Sequence, residues 1–422
     1  MPSRSKIRSK QASKRRALQI AGPGDEPDPP SPVLTTERAT KTVRVIVPTT
    51  GEILMSAVAR LPWAAFAFTA LTCFTGAASA HDDDRDDRPR VAYESKVLVS
   101  NGSQPSSFID PNLINGWGVA FNPNGFVWVS AADSGKSTLY DGNGQPQSLV
   151  VTVPGPGGTA GNPTGIVFSS GADFVVTNGV TSGPARFLFA TEQGTIAGWA
   201  PNVNPTNALT AVDNSSTGAV YTGLAFGGNG TTHLLYAANF SKQRVDVFDG
   251  TFKPVTVPGG FADPRLPKTY APFGIQAIGG DIYVTYAKQE EPGGDEEVKG
   301  PGLGFVNVFD PQGRLVRRIA SRGPLNAPWG MAMAPASFGP LAGALLVGNL
   351  GDGTINAFGP ISGVFLGKLR GFDKRPIHVD GLWGMQFGNG VSGQPTNSLF
   401  WAAGPNDEED GAYGVINVVT KE

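Results

Sequence analysis

NGWGVAF at residues 115–121 is the phrase on which the fold turns, because it comes back five times. NPTGIVF (162–168), VYTGLAF (220–226), APFGIQA (271–277), APWGMAM (327–333) and GLWGMQF (381–387) repeat its pattern. Each sets a glycine ahead of alternating apolar residues, at Gly118, Gly165, Gly223, Gly274, Gly330 and Gly384, with a mean spacing of about 53 residues. A fixed period of that size marks one supersecondary unit copied along the chain.

Working outward from each phrase, a second apolar run follows: FVWVSAA, LLYAANF, IYVTYAK, ALLVGNL and LFWAAGP. A third run comes next: STLYDGNGQ, RVDVFDGTF, GFVNVFDPQG, TINAFGPISG and GVINVV. Several third runs end in an Asp- and Gly-containing turn and a fourth, as in LVVTVP and LVRRIA. Four short strands per unit describe a propeller blade, and six units predict an all-β, six-bladed β-propeller. Unit two parses poorly. DFVVTN and ARFLFATEQGTIAGWAP offer one strand too many, which leaves a partial seventh blade open. The sixth unit runs out near Val418 and Val419 without a fourth strand. SKVLVS (95–100) is expected to pair there and close the ring, since an open sheet exposes edges that aggregate. The six glycines are read as room for close approach of the inner strands. Trp117, Trp329 and Trp383 are read as filling gaps between blades, with stacking on a ligand as the other reading.

The chain of 422 residues has 57 Gly and 35 Pro, an excess that marks many tight turns, yet 40% hydrophobic residues suffice for a core. Residues 1–54 are basic, then Pro-rich and acidic, and are expected to be disordered. From Met55 the pattern is that of a signal peptide: Arg60, the apolar run Leu61–Phe74, then Ala78-Ser79-Ala80 before HDDDRDDR. The expected organisation is a 1–54 extension that arises from a start site placed too early, a 55–80 signal, an 81–92 acidic leader and a 93–422 propeller. This predicts export to the periplasm or the extracellular space, with no stable membrane span in the mature chain. The one cysteine, Cys73, falls in the signal, so the mature chain has neither thiol chemistry nor a disulfide. Beyond residue 80 there are 22 basic and 30 acidic residues, a net charge of −8, which argues against nucleic acid as a partner.

The run from FIDPNLINGWGVAFNP through KSTLYDGNGQ, GLGFVNVFD, RGPLNAPWGMAMAPASFG and LVGNLGDGTINAF to AAGPNDE resembles a conserved, uncharacterised family of exported bacterial proteins. Some members of that family end in a PEP-CTERM sorting tail. This chain ends GVINVVTKE, so sorting by that route is not implied. In architecture it is similar to NHL-repeat and SMP-30/gluconolactonase-like propellers. The resemblance implies fold and export and assigns no activity.

Candidate chemistry is sparse. His81, His233 and His378 are the only histidines, too few and too scattered for a three-His zinc centre. No G-x-S-x-G elbow accompanies them. Polar residues recur after the second strands: Asp133, Asn178, Asn239, Lys288, Asn349 with Asp352, and Asn406 with Asp407. If second strands leave on one face, these groups ring the channel mouth as ligand-binding residues, and their hard oxygens could hold Ca²⁺. The alternative is that Asn and Asp simply make the turns. The acidic loops 289–302 and 404–414 read as solvated faces. Two functions follow: a binding or scaffold module for a small molecule, glycan or protein, or a Ca-dependent hydrolase or lactonase-like enzyme with its site at the channel mouth.

Overall fold

The computed structural model describes residues 90–228 and 232–422. The 1–54 extension, the 55–80 signal and most of the 81–92 leader lie outside the described residues. The chain enters on β1 (Arg90–Ser100) and a two-residue β2 (Phe108–Ile109). The first blade is β3 (Gly116–Phe121), β4 (Val127–Ala131), β5 (Lys136–Tyr140) and β6 (Val151–Thr152). In the second, β7 (Pro163–Phe168) is followed by a separate hairpin, β8 (Val175–Thr177) and β9 (Ser182–Pro184). That blade then resumes with β10 (Phe187–Thr191), β11 (Thr195–Trp199) and β12 (Leu209–Asp213). Blade three is β13 (Tyr221–Gly228), β14 (His233–Asn239), β15 (Arg244–Asp249) and β16 (Pro254–Val255). Blade four is β17 (Tyr270–Ile278), β18 (Asp281–Gln289) with β19 (Glu297–Val298) at its end, β20 (Phe305–Phe309) and β21 (Leu315–Ser321). Blade five is β22 (Pro328–Met333), β23 (Leu345–Asn349), β24 (Ile355–Phe358) and β25 (Phe365–Lys368). The last blade is β26 (Leu382–Phe387), β27 (Leu399–Ala403) and β28 (Ala412–Lys421).

Among the described residues there are six blades and no seventh. The surplus strand of unit two, DFVVTN, became β8 of the hairpin, and FLFAT took the second-strand place as β10. Ring closure is as expected and more extensive. β1 pairs antiparallel with β28 from Arg90↔Lys421 to Ser100↔Ala412, so the closing strand begins three residues before position 93. It is also tied to blade five, because the buried Tyr93 hydroxyl donates to Phe338 O and accepts from Leu341 N, both at 3.0 Å.

The six phrases are the inner strands, β3, β7, β13, β17, β22 and β26, and each packs on the next around the axis. Their glycines face the neighbour's backbone. A Cβ on Gly223 would sit 3.1 Å from Phe273 O, and the five other sites are tighter. Gly118 meets Thr164 O, Gly165 meets Leu224 N, Gly274 meets Trp329 O, Gly330 meets Trp383 O, and Gly384 meets Trp117 O. Separate apolar clusters fill the spaces between successive blades.

Strand pairing fixes the two faces. Gly116↔Ala131, Tyr221↔Asn239 and Pro328↔Asn349 put first-strand starts and second-strand ends at one end, here the upper face. The first-to-second and third-to-fourth connections make the lower face. Overpacking against immobile backbone costs about 1–3 kcal/mol or more. Gly274→Ala is therefore expected to lower stability by about 2–3 kcal/mol, and the looser Gly223→Ala by less than about 1 kcal/mol. Equal losses in denaturant unfolding of the two variants would contradict a ring set by backbone approach.

Candidate functional site

The residue before each axial glycine decides what fills the upper end of the channel. Around the ring these are Trp117, Thr164, Thr222, Phe273, Trp329 and Trp383. The two threonines turn back onto the strands: Thr164 Oγ1 donates to Tyr221 O and Thr222 Oγ1 to Phe273 O, both at 2.7 Å. The aromatics fold over the axis instead. Trp117 and Trp383 stack at 3.7 Å between centroids, Trp329 meets Trp383 edge-on at 5.9 Å, and Phe273 lies 5.5 Å from Trp383. Trp329 Nε1 reaches across to Thr222 O at 2.9 Å. With Phe240 and Leu350 they form a buried plug. The tryptophans thus fill the axis itself and not the gaps between adjacent blades. Below the plug only a narrow enclosed space remains, lined by Gly118, Gly165, Leu224, Ile275, Gln276 and Gly384.

Above the plug, Asn115 gathers three parts of the chain. It is fully buried and sits in the left-handed region at φ 50°. Its Oδ1 accepts from Trp383 Nε1 at 3.2 Å, its Nδ2 donates to Glu408 Oε2 at 2.9 Å, and its N–H donates to Asp410 O at 2.9 Å. The partner turn is also left-handed: Asn406, Asp407 and Glu408 have φ of 55°, 57° and 70°. Three successive non-glycine residues in that region are costly and persist only where the surroundings over-determine them. Here Glu408 N donates to Gly404 O at 3.1 Å, and Asp410 Oδ1 accepts from Asn101 Nδ2 at 2.9 Å.

The acidic loop of blade four crosses to the same place. Gly300 N donates to Asn326 Oδ1 at 2.6 Å, and Lys299 Nζ lies 3.7 Å from Asp407 Oδ1. Glu297, on β19, is half-buried within the blade-four loop. Removal from water, reinforced by the Glu408 charge and partly offset by Lys299, pushes its carboxyl up to about 8. This loop pair therefore does more than present a solvated charge run.

The expected ring of channel-mouth ligands is distributed otherwise. Asn178 is displaced outright: it lies in the turn of the β8–β9 hairpin, off the lower end of blade two, where its Oδ1 caps Val180 N and Thr181 N and its Nδ2 donates to Val203 O. The place it was expected to occupy belongs to the turn after β10. Asp133 accepts from Asn162 Nδ2 at 3.1 Å and links blades one and two. The buried Asn239 donates to Asp246 Oδ2 at 2.7 Å and caps Val220 N. Asn349 and Asp352 join at 3.0 Å, Asn349 also holding Pro324 O and Asn326 N, while Asp352 caps Thr354. Asn406 donates to Asp410, and Asp407 faces Lys299. Lys288 pairs in register with Tyr270. Among the described residues no group of three or more His, Cys, Asp or Glu is arranged to hold a metal ion, and no helix is long and apolar enough to cross a membrane. Asn115, Glu297 and Glu408 were not singled out by the repeat, since each faces a partner from another blade.

Glu297 has a pH signature. Between its ordinary value near 4.5 and about 8, the folded chain holds a proton that the unfolded chain releases. Its contribution to stability is therefore full below that window and falls as pH rises through it. Glu297→Gln should leave unfolding at pH 4.5 unchanged and raise stability at pH 8.5 by about 1–2 kcal/mol after solvent screening. Equal melting shifts at both pH values would remove this assignment.

No protein-family model matches the chain. The solved structures bear on fold alone. A protein of unknown function from Bacteroides thetaiotaomicron superposes with a TM-score of 0.50 at 10% identity, over 78% of this chain and 76% of that one. Virginiamycin B lyase from Staphylococcus aureus gives a TM-score of 0.44 at 10% identity, over 78% of this chain and all of its own. Two curated relatives, both from Acanthamoeba polyphaga mimivirus, carry the kinship. Uncharacterized protein R648 is 32% identical over 335 residues, 78% of this chain and 81% of its own length. Uncharacterized protein L690 is 33% identical over 304 residues, 71% of this chain and 79% of its own. They are viral, and the bacterial, PEP-CTERM-associated origin is not supported by them. The chain belongs to the family of the uncharacterized mimivirus proteins R648 and L690.

Proposed function

We propose that the protein is a binding module whose ligand face is the upper one, centred on the 289–302 and 404–414 loops. The observation that carries this reading is the Asn115–Glu408–Glu297 set. A strained, hydrogen-bonded turn and a crowded carboxyl are held over a rigid aromatic plug. Such rigidity spends little ordering entropy when a partner docks. The loops carry Glu290, Glu291, Asp295, Glu296 and Asp407–Asp410 against Lys299. That sign favours a partner bearing a basic group, a small molecule or an exposed side chain of a protein. The calcium-dependent hydrolase reading draws less support, because the oxygens it would recruit at Asp133, Asn239, Asn349 and Asp352 already accept hydrogen bonds from Asn162, Val220, Asn326 and Thr354.

Export belongs to the same proposal and rests on the signal-like pattern of residues 55–80. A periplasmic or extracellular scaffold of the kind suggested by the PEP-CTERM-associated resemblance would present this face to partners outside the cell.

Titration calorimetry with a decalysine peptide tests the assignment. Saturable binding is expected, weakening as salt rises, with at least a tenfold loss of affinity in Glu291→Gln/Glu408→Gln. Tight Ca²⁺ binding, with chelator lowering the melting temperature and no response to the peptide, would transfer support to the enzyme reading.

A further inference from the structure

The lower face holds a second built feature. The β8–β9 hairpin is, among the described residues, an insertion that only blade two carries, and its base walls an open cleft of about 1050 Å³ against blades three and four. Asp173, just before the hairpin, reaches His233 at the start of β14, Oδ2 to Nδ1 at 2.7 Å. Carboxylate contact at Nδ1 fixes the proton there and leaves Nε2 as the outward ring nitrogen. Among the described residues nothing bonds to Nε2, and the side chain is 46% exposed.

The pair is closely confined. A Cβ on Gly171 would lie 3.2 Å from His233 Nδ1, and one on Gly250 would lie 2.9 Å from Asp173 Cβ. Phe174, next to Asp173, is fully buried yet left-handed at φ 55°, with its N–H on Gly250 O at 2.6 Å. A bulky residue tolerates that region only under strong constraint. Phe252 is left-handed too, at φ 63°, and meets Phe174 edge-on at 5.2 Å, while Phe226 supports the imidazole at 5.1 Å. Backbone strain thus coincides with delivery of a carboxylate to a histidine across two blades.

The lining is mixed, with the carboxylates of Asp173 and Asp249 beside His233. Thr251, Thr256 and Gln312 offer hydroxyls and an amide, and Val175 and Val257 offer apolar surface, Val175 being half exposed. Few convergent polar groups against an apolar wall suit a ligand with hydroxyls on its edge and C–H groups on its face. We propose that this cleft is a binding site for a sugar-sized carbohydrate, with His233 Nε2 bonding a ring hydroxyl and Asp173 positioning the imidazole. The site is separate from the acidic upper face and does not depend on it.

With three histidines in the chain, ¹³C-histidine labelling gives a sparse spectrum in which His233 is assigned by substitution. The full chain is titrated with glucose, galactose, N-acetylglucosamine and maltose. At least one sugar is expected to move the His233 Hε1 signal saturably, without moving His378. The Kd should rise tenfold or more in Asp173→Asn. Thr251→Val leaves the dyad intact and should weaken binding while keeping the His233 signal, so loss of folding in the first variant does not cloud the outcome. No movement of His233 with any of the four sugars, or an unchanged Kd in both variants, overturns the proposal. A melting shift in Asp173→Asn without any sugar response would show the dyad to be only a brace between blades.

Discussion

The whole molecule depends on how closely six backbones approach one axis. Each inner strand leans on its neighbour through a missing Cβ, and the neighbour's carbonyl or amide occupies the space left. The last contact, Gly384 on Trp117 O, joins the sixth blade to the first, so the set is cyclic. Where the approach is tightest, as at Gly274, one added methyl cannot be absorbed locally, because the atom it meets is itself fixed by the next glycine contact. This approach draws the blades near enough for the interblade apolar clusters to close, and it leaves too little room on the axis for anything but the side chains preceding the glycines.

Those side chains explain why the channel mouth is not an open site. Three tryptophans and a phenylalanine are too large to lie flat between strands this close, so they turn up and pack on one another. The two small members, Thr164 and Thr222, do the opposite and bond neighbouring strands. The plug is thus a consequence of the glycine ring. It supplies the rigid floor on which Asn115 can hold a left-handed turn, since a buried amide with donor and acceptor both engaged offsets the strain of its own backbone.

The sequence showed what repeats and concealed what does not. The glycine phrases marked every inner strand, and the missing fourth strand of the last unit pointed to β1, because pairing and periodicity are local properties. The second blade defeated the same logic. DFVVTN has the composition of a second strand, and nothing in it announces that FLFAT pairs better with β7. Asn178 was misplaced with it, as its position rested on strand order alone. The stacking of Trp117 on Trp383 joins residues 266 positions apart, and the bond from Asn115 to Glu408 residues 293 apart. They emerge only when closure makes blades one and six neighbours, so no reading of one unit contains them.

Both candidate sites lie where the repeat is broken. Loop 289–302 lengthens the end of blade four, turn 404–411 interrupts the sixth, and the β8–β9 hairpin enlarges the second. Each departure hangs from a connection, where the ring tolerates extra chain, because the strands themselves are held from both sides. Each also ends in strained non-glycine backbone: Asn406–Glu408 on the upper face, Phe174 on the lower. Such strain is unfavourable alone and is retained only if the rest of the fold can support it. A closed ring with a filled axis can. The rigidity that denies the protein an axial cavity is therefore what allows polar groups to be fixed at its two faces, and chemistry on this scaffold moves outward to the loops.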